Sequence, residues 1–124
     1  TTVGTAARQA GATAGAAAAS GTFAKMNSNG KVTKANSGGE RCVGVFITSP
    51  TGDGQLCNIQ YRGTVYVKSG HTSAINAGAE VSAKSNGEAA VATAGHYVMG
   101  IAMGTAAASG TYFPIMQTNY QKNA

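Results

Sequence analysis

The chain of 124 residues has little of several residue types, and each scarcity excludes a class of protein. Tryptophan is absent, aromatic residues make up only 6% and charged residues only 10%. The scarcity of rings argues against a carbohydrate platform, and the N-terminal segment is not highly charged like a solubilising tail. No apolar run is long enough to cross a bilayer and no signal-peptide pattern opens the chain, so we expect no membrane association.

Cysteine is also scarce, since Cys42 and Cys57 are the only two and cannot form a disulfide framework. The turn between them is centred past their midpoint, so a simple hairpin would not place them opposite each other. We therefore predict that both are buried, reduced and apolar in character.

Acidic residues are few, because nine Lys and Arg face four Asp and Glu, which gives a formal net charge of +5. The cations are scattered along the chain without a run of like charge. Surfaces that bind nucleic acid usually cluster their cations and interleave aromatic rings. We predict no direct contact with nucleic acid, whereas a diffuse positive surface would favour docking on an acidic partner.

No arrangement of reactive side chains predicts catalysis, a metal or a cofactor. The acids are Glu40, Asp53, Glu80 and Glu88, and no pair of them is predictably close enough for general acid and base work. The two histidines have no Cys, Asp or His neighbour at ligand spacing. We therefore predict no catalytic, cofactor-binding or metal-binding residue, and a protein that is not an enzyme.

The strongest positive signal is the alternation of apolar and polar side chains over Cys57–Lys68. A period of two is typical of a half-buried strand, and Ile, Val and Tyr favour strands. Gly63 predicts a bulge or bend within it. The pattern places one set of side chains in the core, namely Cys57, Ile59, Tyr61, Val65 and Val67.

Further strands are indicated around this one. Asn29-Gly30 and Asn86-Gly87 predict hairpins with type I′ turns, which need positive φ at both central residues. The runs Cys42–Thr48 and His96–Met103 predict well-covered strands. Thr111–Thr118 predicts the last strand, in which a proline that cannot donate to the ladder is expected at an edge or a bulge.

An internal repeat relates the two halves of the chain. Ser28-Asn29-Gly30 recurs as Ser85-Asn86-Gly87, and Val43-Gly44-Val45 recurs as Met99-Gly100-Ile101. Each half reads as a hairpin, a covered strand, a turn and a strand. We therefore predict an all-β fold, a small β-barrel or sandwich built from two similar hairpin–strand–turn–strand halves with pseudo-twofold character.

The chain is predicted to divide into a flexible Ala/Gly-rich N-terminal arm (residues 1–22), a β-domain (23–118) and a C-terminal tail (119–124). The arm is interpreted either as a leader without a role or as a segment that orders on a partner by adding a strand to a sheet edge. On the second interpretation, the predicted partner contacts are Thr1, Thr2, Val3, Arg8, Gln9, Thr13 and Phe23.

The order of several short motifs carries a resemblance to a known family. They are F-x-K-x-N-x-x-G-K-V-x-K-A at Phe23–Ala35, V-G-V at Val43–Val45, G-x-V-x-V at Gly63–Val67, A-G-A-E-V at Ala77–Val81 and Y-V-x-G-I-A at Tyr97–Ala102. The chain thus resembles the small capsid cement, or head-decoration, proteins of tailed bacteriophages. The resemblance covers about residues 23–117, and the arm before it is longer than in the family's plain form.

The resemblance implies a structural virion protein that binds the outer surface of a phage head and clamps the major capsid lattice. It implies the major capsid protein as partner, a homo-oligomer with a trimer favoured, and synthesis in the host cytoplasm. The alternative is a carbohydrate- or receptor-binding β-module on a virion or cell surface. Tyr66, Tyr112 and Tyr120 would then supply the rings.

Overall fold

Ten β-strands build the fold in the computed structural model, which describes residues 8–123. The strands are β1 (Arg8–Thr13), β2 (Phe23–Met26), β3 (Val32–Lys34), β4 (Gly44–Phe46), β5 (Leu56–Arg62), β6 (Thr64–Lys68), β7 (Glu80–Ala83), β8 (Ala89–Val91), β9 (Tyr97–Ala102) and β10 (Tyr112–Gln121). They form two antiparallel sheets of five strands in a sandwich-like arrangement, which confirms the predicted all-β class. No helix in the described range is long and apolar enough to cross a membrane.

The repeat predicted from the sequence is visible in the topology. The first sheet has the order β1-β5-β4-β2-β3 and the second has the order β6-β10-β9-β7-β8. Each half therefore pairs its strands in the same way, and β1 takes the position in the first sheet that β6 takes in the second. The prediction of two similar halves is confirmed.

The two sheets share one hydrophobic core. Phe23 and Val45 point from one face of the first sheet into the core of the second sheet, where Val81 and Phe113 also lie. The opposite face of the first sheet forms a second cluster with Phe46 and other residues, covered by the segment that follows β1. The first sheet therefore contributes side chains to buried clusters from both of its faces, whereas several outward side chains of β6 and β10 in the second sheet are exposed.

Gly63 separates two strands that the sequence pattern joins. Its φ is 106°, and the chain leaves the first sheet after β5 and enters the second sheet with β6. The predicted bend is confirmed, but the single long strand is wrong because its halves belong to different sheets.

The bend also changes which side chains of this stretch are buried. Cys57, Ile59, Val65 and Val67 lie in the core as predicted, whereas Tyr61 is 48% exposed. Gln60 is buried instead, because the bend brings the Thr64 carbonyl within 2.9 Å of its side-chain Nε2, which donates a hydrogen bond to it.

The two Asn-Gly hairpins differ. Asn86 and Gly87 have φ of 62° and 71°, as a type I′ turn requires. At the other hairpin only Gly30 has positive φ, at 76°, and its N–H donates to the Asn27 carbonyl at 3.1 Å. The type I′ prediction is wrong there, because Asn29 does not have the positive φ that the first central residue of such a turn needs.

Pro114 lies in β10, which is flanked by β6 and β9, so the prediction of an edge or bulge is wrong. Its carbonyl accepts a hydrogen bond from Met103 N–H at 2.8 Å. In an antiparallel strand the N–H and the C=O of one residue point towards the same neighbouring strand. The position where Pro114 lacks an N–H therefore faces Met103, the residue after the end of β9. The ladder has ended at that point, so the proline removes no bond within it.

The predicted arm and the predicted tail both contain strand residues. Arg8–Thr13, part of the predicted arm, form β1 and pair with the chain's own β5. Ala14 is fully buried, and its N–H donates to the Gln55 carbonyl at 2.8 Å. At the other end β10 continues to Gln121, into the predicted tail. Residues 1–7 and 124 lie outside the described residues.

Candidate interaction surfaces

The four acidic side chains of the chain each form an ion pair with a lysine. Lys31 Nζ lies 2.9 Å from Asp53 Oδ1, and Lys68 Nζ lies 3.6 Å from Glu88 Oε2. The other two pairs are Lys25 with Glu40 and Lys122 with Glu80. Within residues 8–123, no three His, Cys, Asp or Glu side chains come together as metal ligands. The acids therefore act in ion pairs across the fold.

Glu40 organises the loop between β3 and β4. The hydrogen bond from Lys25 and then that from Asn36 N–H, at 2.6 Å, hold the pKa of Glu40 below its ordinary value of 4.5. Ser37 N–H also donates to this carboxylate, at 3.2 Å. The ionised form of Glu40 thus fixes the loop that precedes the buried strand β4.

Acidification should therefore weaken the fold through Glu40. A carboxyl whose pKa is lowered in the folded state contributes stability above its unfolded value of 4.5, and that contribution is lost as pH falls through the folded pKa. We expect Glu40→Gln to have a lower Tm than the parent at pH 7, with the difference shrinking as pH falls below about 4. Melting curves recorded between neutral and acidic pH test this, and a constant difference would contradict it.

Both cysteines are buried with free thiols, as predicted. Burial, together with the nearby Glu40 charge, raises the pKa of Cys42 to about 12. Burial also raises the pKa of Cys57. A thiol with a raised pKa stays protonated at neutral pH and is a poor nucleophile, so both act as small core residues.

The second sheet presents an exposed apolar face, here called the open face. Across it, Tyr66 of β6 pairs with Pro114 of β10, and Met116 of β10 pairs with Ile101 of β9. Tyr66 is 60% exposed and Met116 is 53% exposed. The open face consists of Tyr66, Ile101, Met103, Tyr112, Pro114 and Met116. These neighbours form one contiguous apolar surface on a rigid sheet.

The repeat shows that part of the open face corresponds to a buried face of the first sheet. Val45 pairs with Gln60 across β4 and β5 just as Ile101 pairs with Met116 across β9 and β10. Val45 and Gln60 are buried, at 0% and 5% exposure, because the second sheet covers them. The face that the first sheet uses for packing is thus left uncovered on the second sheet.

Two other positions of the first sheet, which match positions of the open face, have no large apolar side chain. The fold itself therefore does not require one at these positions. Gly11 pairs with Asn58 across β1 and β5, at the positions that Tyr66 and Pro114 occupy across β6 and β10. Gly11 and Asn58 are also exposed, and they are small or polar. Leu56 is also exposed on the first sheet, at the position that matches Tyr112, so the two sheets differ at Tyr66 and Pro114. A group of large exposed apolar side chains marks a contact surface.

Two of the three arginines of the chain line one hollow at the junction of the sheets, here called the arginine hollow, and the third pairs with one of them across two strands. Arg41 and Arg62 line it, and Arg8 is the cross-strand partner of Arg62. Tyr61 and Met26 line it as well, and its volume is about 530 Å³. Sequence analysis missed this cluster because the three arginines are far apart in the chain, and only the pairing of β1 with β5 brings two of them together.

The predicted partner contacts fall in different environments. Arg8 and Gln9 are exposed on β1, and Thr13 is half-buried at the end of that strand. Phe23 has no exposed surface and packs in the shared core, so the prediction that it contacts a partner is wrong. Its ring is fully buried between the two sheets. The first three residues, Thr1, Thr2 and Val3, lie outside the described residues.

Comparison with known proteins now gives the family. A family model described as "Phage cement protein" matches residues 38–117. The chain belongs to the phage cement protein family. The match includes every residue of the open face, together with Arg41 and Arg62 of the arginine hollow. The resemblance seen in the sequence is confirmed, and the protein is a structural component of a phage virion.

A solved structure agrees with this family at the level of the fold. The chain is similar to the head fiber gp8.5 N base in bacteriophage phi29, with a TM-score of 0.71 and 15% identity. The similarity covers 90% of this chain and 94% of that chain. At this identity the likeness shows the fold alone. No curated protein matches the chain.

Proposed function

We propose that this cement protein binds the outer surface of a phage head and stabilises the major capsid lattice. The observation that carries the proposal is the open face, which a partner must cover for its apolar side chains to leave water. On this proposal the protein is a non-enzymatic clamp, made in the host cytoplasm and added to the head from outside.

The composition of the open face suits a stable protein partner. Tyrosine and methionine are enriched where proteins meet, and each large apolar side chain that becomes fully buried contributes roughly 1.5–3 kcal/mol. The described residues place Tyr66, Tyr112, Met103 and Met116 there, each about half exposed. Because the side chains stand on hydrogen-bonded strands, little backbone ordering opposes binding.

We propose that the protein acts as a homotrimer at threefold positions of the lattice. Three linked copies engage three capsid contacts at once, so each contact alone need not be strong. Each copy would then hold adjacent capsid subunits against forces that separate them.

The N-terminal residues are proposed to add a second contact. β1 is an edge strand of the first sheet, and its residues Arg8 and Gln9 are exposed. An edge strand offers unpaired N–H and C=O groups to a neighbouring chain. Thr1, Thr2 and Val3 precede it and are proposed to extend this contact.

The test measures binding of Tyr66→Ser and Met116→Ser to purified phage heads by co-sedimentation. Each variant should weaken binding about tenfold, as expected for an anchor residue at the centre of an interface. Both side chains are exposed, so the Tm should stay within a few degrees of the parent.

Leu56→Ser is the matched control. Leu56 is 80% exposed and is the first residue of β5, the position that Tyr112 has in the corresponding strand β10. It should bind heads like the parent. If Leu56→Ser weakens binding as much as Met116→Ser, the open face is not the capsid contact. Binding to a glycan array that depends on Tyr66, without binding to heads, would favour the alternative of a carbohydrate-binding module.

A further inference from the structure

We infer that the arginine hollow binds an acidic segment of a partner protein through carboxylate groups. The inference rests on the proposed function only for the identity of the partner, which would be a capsid subunit. The binding chemistry itself follows from the charges around the hollow.

The first argument is where the net charge lies. The four lysines named above neutralise the four acids, so the formal charge of +5 falls on the remaining five cations. Those five are Arg8, Lys34, Arg41, Arg62 and Lys84. Arg41 and Arg62 line one hollow, Arg8 is the cross-strand partner of Arg62, and among the residues that line the hollow there is no Asp or Glu.

The second argument is that this arrangement opposes folding in the absence of an anion. Arg8 and Arg62 are directly opposite each other on β1 and β5, and both are exposed. Like charges in that position destabilise a sheet. Arg41 lies at the same hollow and adds a third positive charge. A bound anion would relieve this repulsion.

The third argument concerns the residue type. In the described residues lysines make all the internal ion pairs, while the arginines stay outside them. The planar guanidinium group matches a carboxylate with two parallel hydrogen bonds, which an ammonium group does not. The hollow is therefore built for planar anions.

The lining favours protein over nucleic acid. Met26 and Tyr61 are each about half exposed and give the hollow an apolar wall. A nucleic acid needs a longer track of cations with several stacking rings. A hollow with two or three guanidinium groups and an apolar wall fits a short segment in which Asp or Glu alternates with apolar residues.

The experiment uses the full chain and a fluorescent probe peptide in which aspartate alternates with leucine, with fluorescence anisotropy as the readout. Arg41→Gln and Arg62→Gln should each weaken binding about tenfold, and raised salt should weaken binding of the parent. Arg62→Lys keeps the positive charge but loses the planar guanidinium group that forms two parallel hydrogen bonds. Its affinity for the peptide should therefore lie between those of Arg62→Gln and the parent.

Lys34→Gln is the matched control, because it removes the same charge from a cation that lines a different hollow. It should bind the peptide within about twofold of the parent. Arg62→Gln should leave the Tm equal to or above that of the parent, because the cross-strand repulsion is removed. A structural role for Arg62 would instead lower the Tm.

Three results would overturn the inference. One is an equal loss of peptide affinity in Lys34→Gln and Arg62→Gln, which would show a general charge effect. Another is tighter binding of a single-stranded oligonucleotide than of the peptide, when the two probes have the same charge and both depend on the same arginines. The third is arginine variants that bind both peptide and heads like the parent.

The same variants separate this inference from the proposed function. If the parent binds heads and the arginine variants bind both heads and peptide equally well, the inference fails and the capsid-binding proposal stands. If the parent binds the peptide through its arginines but never binds heads, the inference stands and the capsid-binding proposal fails.

Discussion

Val67→Asp should unfold the protein or lower its unfolding free energy by about 3–5 kcal/mol, the cost of an unpaired buried charge. Val67 has no exposed surface and packs in the cluster that both sheets share, together with Phe113. The side chains of that cluster are all apolar and cannot neutralise a carboxylate. Urea denaturation monitored by circular dichroism measures the change.

Thr64→Asp is the control for this prediction. Thr64 lies in the same strand, β6, but is exposed on the open face. Its replacement should change the unfolding free energy by less than about 0.5 kcal/mol. If the two variants are equally destabilised, the assignment of inward and outward faces in β6 is wrong.

Gly87→Val should have the second largest effect, because two penalties combine at this turn. Gly87 has a φ of 71°, which a branched side chain strongly disfavours. A Cβ atom there would also lie 2.9 Å from the Phe23 carbonyl oxygen and 3.0 Å from Thr22 Cβ. The β7–β8 turn packs against β2, so the clash disturbs the contact between the sheets. We expect a loss of about 3 kcal/mol or more.

Gly30→Val separates the two penalties. Gly30 has a similar φ of 76°, but within residues 8–123 no atom beyond its own chain neighbours lies within 4 Å of a Cβ atom at this position. Only the backbone strain remains, so the loss should be about 1–2 kcal/mol. Thermal melts of both variants check this. Equal losses would mean that the turn at Gly87 does not pack against the first sheet.

Local chemistry made much of the fold predictable. Alternating side chains identified β5 and β6, and Gly63 identified the bend between them. The repeat of Asn-Gly turns and covered strands indicated two matching halves. These features depend on residues within a few positions of each other, where period and turn chemistry are informative.

What the sequence did not reveal depends on long-range pairing. Ala and Gly in residues 8–13 carry no strand pattern, yet β1 forms because the edge of β5 is available for pairing. Gln60 is buried because of a bend that follows it, and Tyr61 is exposed for the same reason.

The two interaction surfaces were also beyond sequence analysis. The alternation of β6 and β10 indicated which side chains face outward, but not that they adjoin each other. The arginine hollow requires that Arg41 and Arg62 come together from two parts of the chain, and the pairing of β1 with β5 adds Arg8 beside Arg62. No short sequence motif identifies either surface.

The measurement that tests the central claim most directly is a cryo-electron microscopy map of phage heads decorated with this protein. The proposal predicts that Tyr66, Tyr112 and Met116 of the open face lie against the major capsid protein, on the outside of the head. A map in which the open face points to solvent, with the chain attached through another surface, would contradict it.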